Sequence, residues 1–77
     1  MIGYDFTKYA EKQFLKLPKK VQQKIIKKLE FYLDTPDPLV FALPISKTPK
    51  PCYRFKIGNY RVIFDWEIKK ILILAVG

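Results

Sequence analysis

The hydrophobic pattern changes period along the chain, and each change marks an element. In "MIGYDF", Tyr4 and Phe6 alternate with Gly3 and Asp5, a period of two that predicts a short strand. Thr7 follows as an N-cap. Ala10, Phe14 and Leu17 then recur at helical spacing, while Lys8, Lys12 and Lys16 form a separate row. "LP" at 17 and 18 ends this helix, and Pro18 suits the first turn of a second. Val21, Ile25 and Leu29 line one face of that second helix, widened by Ile26, Tyr32 and Leu33. Lys19, Lys20, Lys24, Lys27 and Lys28 crowd its remainder. Two such helices form an antiparallel hairpin with a single apolar side, which a sheet must cover.

Residues 34–51 hold five of the six prolines, which excludes a helix or a central strand there. Leu39, Val40, Phe41 and Leu43 are too apolar for a free linker, so the segment is expected as an ordered loop lying on the core. Three strands follow, at about 52–57, 60–65 and 70–76, the first two joined by Gly58-Asn59, a two-residue turn of the primed kind. The last, "ILILAVG", is apolar on both faces and reads as well covered. The expected class is α+β, one domain over residues 1–77, in the order β-α-α-β-β-β with the helical hairpin on one face of an antiparallel sheet.

The turn fixes the faces of the hairpin. Ile57 should pair with Tyr60, Phe55 with Val62 and Tyr53 with Phe64, so all six belong on the helix side. On the other face Lys56 falls opposite Arg61, and Arg54 opposite Ile63. Like charges directly opposite are unfavourable by up to about 1 kcal/mol. Asp65 shares the face but lies two pairs from Lys56. An exposed sheet face carrying long solubilising side chains is one reading. An anion site is the other, with phosphate as the natural ligand because guanidinium forks match it. The convergence of three cations in one short hairpin favours the second. The lysine rows of the helices read as a solvated face or as a surface for nucleic acid or an acidic partner.

Composition narrows the classes further. At 77 residues the chain is near the size where one core suffices. Cys52 is the single cysteine and histidine is absent, so neither a disulfide framework nor a His/Cys metal site is available. No metal or cofactor is expected. No apolar run approaches the roughly 20 residues of a membrane span, the start lacks a signal peptide's apolar stretch, and one cysteine suits a reducing compartment. A cytoplasmic domain is expected. The net charge of +8 favours polyanionic partners, although a lysine-rich soluble surface would carry it too.

The whole chain resembles the RelE/ParE superfamily of type II toxin–antitoxin toxins. The resemblance lies in "FTKYAEKQFLKLPKKVQQKIIKKLE", in "YRFKIGNYRVIFD" and in "KKILILAVG", whose "AVG" is closer to the RelE branch than to the gyrase-directed ParE branch. It implies a ribosome-dependent mRNA endoribonuclease, an mRNA interferase that works without metal in the ribosomal A site and is held inactive by an acidic, RelB-like antitoxin. It also implies that Arg54, Lys56 and Arg61 bind the RNA and stabilise the charge developing on its phosphate; Arg54 stands where the best-known members have lysine. Those members continue past "VG" with a basic residue, an arginine and a tyrosine that serve charge stabilisation and proton transfer. This chain stops at Gly77; Tyr53 and Tyr60 alternate to the core face, and Tyr4, Tyr9 and Tyr32 match no motif position. Weak or absent cleavage is therefore expected of the chain as it stands. A ParE-like gyrase inhibitor and a module that only binds antitoxin are the other classes the residues allow.

Overall fold

A computed structural model describes residues 2–45 and 52–77. The predicted elements form where the hydrophobic period places them. Strand β1 (Gly3–Phe6) leads into α1 (Lys8–Leu15), whose N-cap Thr7 accepts a hydrogen bond on its hydroxyl from the Ala10 N–H at 3.1 Å. Helix α2 (Lys19–Leu33) starts directly after Pro18. Strands β3 (Cys52–Ile57), β4 (Tyr60–Trp66) and β5 (Lys70–Val76) close the chain. Residues 34–51 do more than the loop expected of them. Pro38–Phe41 form a 3-10 turn, and Ala42–Ile45 form a further strand, β2, paired antiparallel with β3 at the sheet edge. Pro44 is tolerated there because an edge strand has one unpaired side. Residues 46–51 of the expected loop lie outside the described residues.

The result is a five-stranded sheet in the order β1-β5-β4-β3-β2, with both helices on one face. It is mixed rather than wholly antiparallel, because β1 runs parallel to β5. The crossover through α1 and α2 explains this, since a long helical connection is what parallel neighbours require. Ile25, Leu29 and Leu33 of α2 meet Phe55, Ile57, Val62, Phe64, Ile71, Ile73 and Val76 of the sheet, all buried. Tyr32 joins the layers, its ring 4.8 Å from Phe55 and stacked at 4.7 Å on Phe41; Phe55 in turn stacks on Phe64 at 4.5 Å.

Strand β5 carries a bulge. Phe64 pairs with Ile73 but Ile63 pairs with Ala75, so Leu74 is an extra residue and Val76 returns to the helix side. Past Ile73 the parallel partner β1 has ended. The Val76 N–H, turned to that side, instead donates to Gln13 Oε1 of α1 at 2.8 Å.

Gln13→Leu removes the acceptor and leaves the Val76 N–H unsatisfied, so urea denaturation should show a loss of about 1–3 kcal/mol. Alkaline stability offers a second check. Burial, then the charge of Glu30, hold the Tyr4 phenol above its ordinary 10.0, and a hydrogen bond from Lys70 to Asp5 raises the Lys70 ammonium above 10.5. Both groups hold their proton more tightly when folded, so their contribution is complete below about pH 10 and is lost as pH rises through the folded values. Lys70 and Asp5 are about half exposed (49% and 59%), which leaves Tyr4 as the main contributor. Thermal melts between pH 8 and 11 should show a steeper alkaline decline for the wild type than for Tyr4→Phe.

Candidate functional site

Gly58 makes the site's geometry. It has φ +60°, the one positive φ among the described residues, which fits a two-residue turn with a glycine at its first central position. The turn sets the register Ile57↔Tyr60, Lys56↔Arg61, Phe55↔Val62, Arg54↔Ile63, Tyr53↔Phe64 and Cys52↔Asp65. Tyr53, Phe55, Ile57, Tyr60, Val62 and Phe64 therefore pack toward the helices, and Arg54, Lys56 and Arg61 share the face that the helices leave open.

The backbone brings two of these cations as close as a ladder allows. Arg61 exchanges both its main-chain hydrogen bonds with Gly77, the residue after β5, N–H to O at 2.7 Å and O from N–H at 3.0 Å. Those groups thus point away from β3, and Lys56↔Arg61 is a non-hydrogen-bonded pair, the kind with Cα atoms only about 4.5 Å apart. No carboxylate oxygen lies within 4.0 Å of Arg54, Lys56 or Arg61 among the described residues. Asp65 is two pairs along and accepts a hydrogen bond from the Cys52 thiol at 3.2 Å.

The open face can be followed across the strands in rows. One row runs Gly77, Arg61, Lys56; the next runs Ala75, Ile63, Arg54, Leu43; a third runs Asp5, Leu72, Asp65, Cys52, Ile45. Gly77 flanks Arg61 with open space, since a Cβ there would touch nothing within 4 Å. Ile63 and Ala75 make a half-buried apolar floor beside the cations. Lys56 and Arg61 are exposed, whereas Arg54, held between Ile63 and Leu43, is half-buried. The arrangement suits a small anion attached to something apolar: charge at one end, a flat hydrocarbon surface next to it.

Sequence reasoning placed the three cations on one face. It did not place Leu43, because residues 42–45 carried no strand signal past their proline, nor Gly77, whose pairing depends on the bulge. The helix lysines also come nearer than expected. The Lys24 ammonium lies 3.2 Å from where a Cβ on Gly58 would sit, so α2 reaches the hairpin turn itself. The sheet tyrosines Tyr4, Tyr53 and Tyr60 all pack toward the helix side. Among the described residues no group of acidic or cysteine side chains is arranged to hold a metal ion.

Comparison with known proteins follows the same lines. No curated protein matches this chain. Among solved structures, it is similar to the toxin of the intact Escherichia coli RelBE toxin–antitoxin complex, at 27% identity over 100% of this chain and 95% of that one, with a TM-score of 0.76. It is similar to the archaeal RelE–RelB complex of Pyrococcus horikoshii OT3 at 26% identity, over 99% and 92%, with a TM-score of 0.73. The RelBE2 complex of Mycobacterium tuberculosis shares the fold at 20% identity, over 99% and 88%, with a TM-score of 0.85. The family profile of the ParE toxin of type II toxin–antitoxin systems, parDE, matches residues 4–77. Fold, register and profile agree: the chain belongs to the ParE toxin family, within the RelE/ParE superfamily of type II toxin–antitoxin toxins.

Proposed function

We propose that this toxin is an mRNA endoribonuclease acting in the ribosomal A site, with Arg54, Lys56 and Arg61 around the scissile phosphate. The observation that supports it most is the non-hydrogen-bonded Lys56↔Arg61 pair with no carboxylate oxygen within 4.0 Å among the described residues, a repulsive arrangement that a bound phosphate turns favourable. In this chemistry the RNA 2′-hydroxyl gives its proton to solvent and attacks the adjacent phosphorus, the bond to the 5′-oxygen breaks, that oxygen takes a proton from solvent, and a cyclic phosphate and a free 5′-hydroxyl result. Negative charge builds on the phosphate oxygens in the transition state, and fixed cations are effective there because they need no reorganisation. The tyrosines of the sheet face the helices, so the role of this cluster is charge stabilisation and orientation. Ile63 and Ala75 offer a surface for the sugar or base next to the phosphate.

The partner follows from the same reading. RelE toxins occur in complexes with RelB in two of the structures this chain is similar to at 26–27% identity, and a chain of net charge +8 suits an acidic antitoxin that orders on it. The ParE profile favours a second reading, inhibition of DNA gyrase without nuclease chemistry.

Incubation with translating ribosomes, read by primer extension, separates the two. Weak cleavage within codons should appear, and Arg61→Ala should remove it while leaving the melting temperature nearly unchanged. Intact mRNA combined with blocked supercoiling by gyrase would reject the nuclease and favour the gyrase reading.

A further inference from the structure

The outer side of α2 holds a second basic feature, separate from the sheet face. An open groove of about 690 Å³ runs along the helix, lined by Lys20, Gln23, Lys24, Lys27, Lys28 and Phe31. None of its four lysines has a carboxylate oxygen within 4.0 Å among the described residues. The helix also starts at an electrostatic disadvantage. Pro18 supplies no side-chain cap, the first turn has no acidic residue, and Lys19 and Lys20 sit there against the positive end of the helix dipole. Repulsion is thus left unrelieved both here and in the hairpin.

Two further observations indicate the occupant. Phe31, at the C-terminal end of the groove, is 57% exposed, and the Lys28 ammonium lies 5.8 Å from its ring centre. An exposed ring beside ammonium groups is the arrangement by which proteins hold single-stranded nucleic acid, with bases on the ring and phosphates on the cations. Lys20 to Lys28 span about 12 Å of helix, enough for several phosphates. The groove is also continuous with the hairpin, because Lys24 reaches the turn at Gly58, two residues from Lys56. An acidic protein would satisfy the lysines but would leave that continuity unexplained.

We infer that the α2 groove binds the backbone of single-stranded RNA and stacks a base on Phe31, carrying the strand round the hairpin turn toward Arg61 and Lys56. The inference rests on reading those hairpin cations as a phosphate site. A fluorescein-labelled 12-nucleotide RNA with 2′-O-methyl riboses, which bind but resist cleavage, is a suitable probe. Replacing Lys20, Lys24, Lys27 and Lys28 together by Gln keeps helix propensity, and circular dichroism confirms folding. Affinity at 0.1 M salt should fall at least about 10-fold, and the slope of log K against log salt should shrink by about 2 to 3. Phe31→Leu should weaken binding about five-fold or more with the slope unchanged. Unchanged RNA affinity in the lysine variant would overturn the assignment, as would a loss confined to a poly-glutamate probe, which would give the groove to an acidic protein. Unchanged affinity in Phe31→Leu would overturn the single-stranded assignment. Lysine-dependent RNA binding without ribosomal cleavage would support the groove and refute the nuclease; cleavage with unaltered binding in the lysine variant would do the reverse.

Discussion

The two-residue turn at Gly58-Asn59 is the constraint on which the rest depends. Side chains alternate along a strand with a period of two, so a slip of one residue in the β3–β4 register would put the apolar set of one strand on the same face as the cations of the other. Either Phe55 would then turn to the open side and drive Arg54 and Lys56 into the core, or Val62 and Phe64 would turn out and drive Arg61 in. Burying a large apolar side chain contributes about 1.5–3 kcal/mol. Two opposed cations cost up to about 1 kcal/mol. The core therefore sets the register and the cations accept where it puts them. A polar cluster that destabilises the fold is held in place by apolar residues on the reverse of the same strands.

The helix side shows how a chain of this size secures that register. Phe41, Tyr32, Phe55 and Phe64 form a continuous aromatic series from the 3-10 turn through α2 to the two central strands, each ring centre within 4.8 Å of the next. Such contacts add about 0.5–1.5 kcal/mol each beyond the area they bury. They also join the proline-rich segment to the sheet, so Leu43 is held beside Arg54 by packing that starts on the opposite face. The basic surface of α2 is anchored by the same helix through Ile25, Leu29 and Leu33.

Much of this was legible in the sequence wherever the determinant was local. Helical spacing from Ala10 to Leu33, the alternation in β3 and β4 and the Gly-Asn turn all act within a few residues. They were sufficient to place Lys56 opposite Arg61. The parallel pairing of β1 with β5 was not legible, because alternation in Tyr4 and Phe6 says which residues face the core and nothing about which strand lies alongside. Strand β2 was hidden by Pro44, which rules out a central position but not an edge. The approach of Lys24 to Gly58 depends on where a packed helix meets a turn 34 positions later in the chain, and no periodicity records that.

The extra residue in β5 has a consequence at both surfaces of the sheet. Counting on from Ile73 without it, Ala75 would stand opposite Val62 in the core, and Val76 would stand opposite Arg61 outside. The bulge advances the strand by one position, so the larger side chain fills the interior and a glycine borders the arginine. One inserted backbone unit thus redistributes volume: a valine's bulk is taken from beside the cations and added under the helices. A regular ladder through Leu74 would place an alanine under the helices and a valine on the flank of Arg61 in the same step. The shape of the charged surface and the density of the core are in this way a single property of the strand.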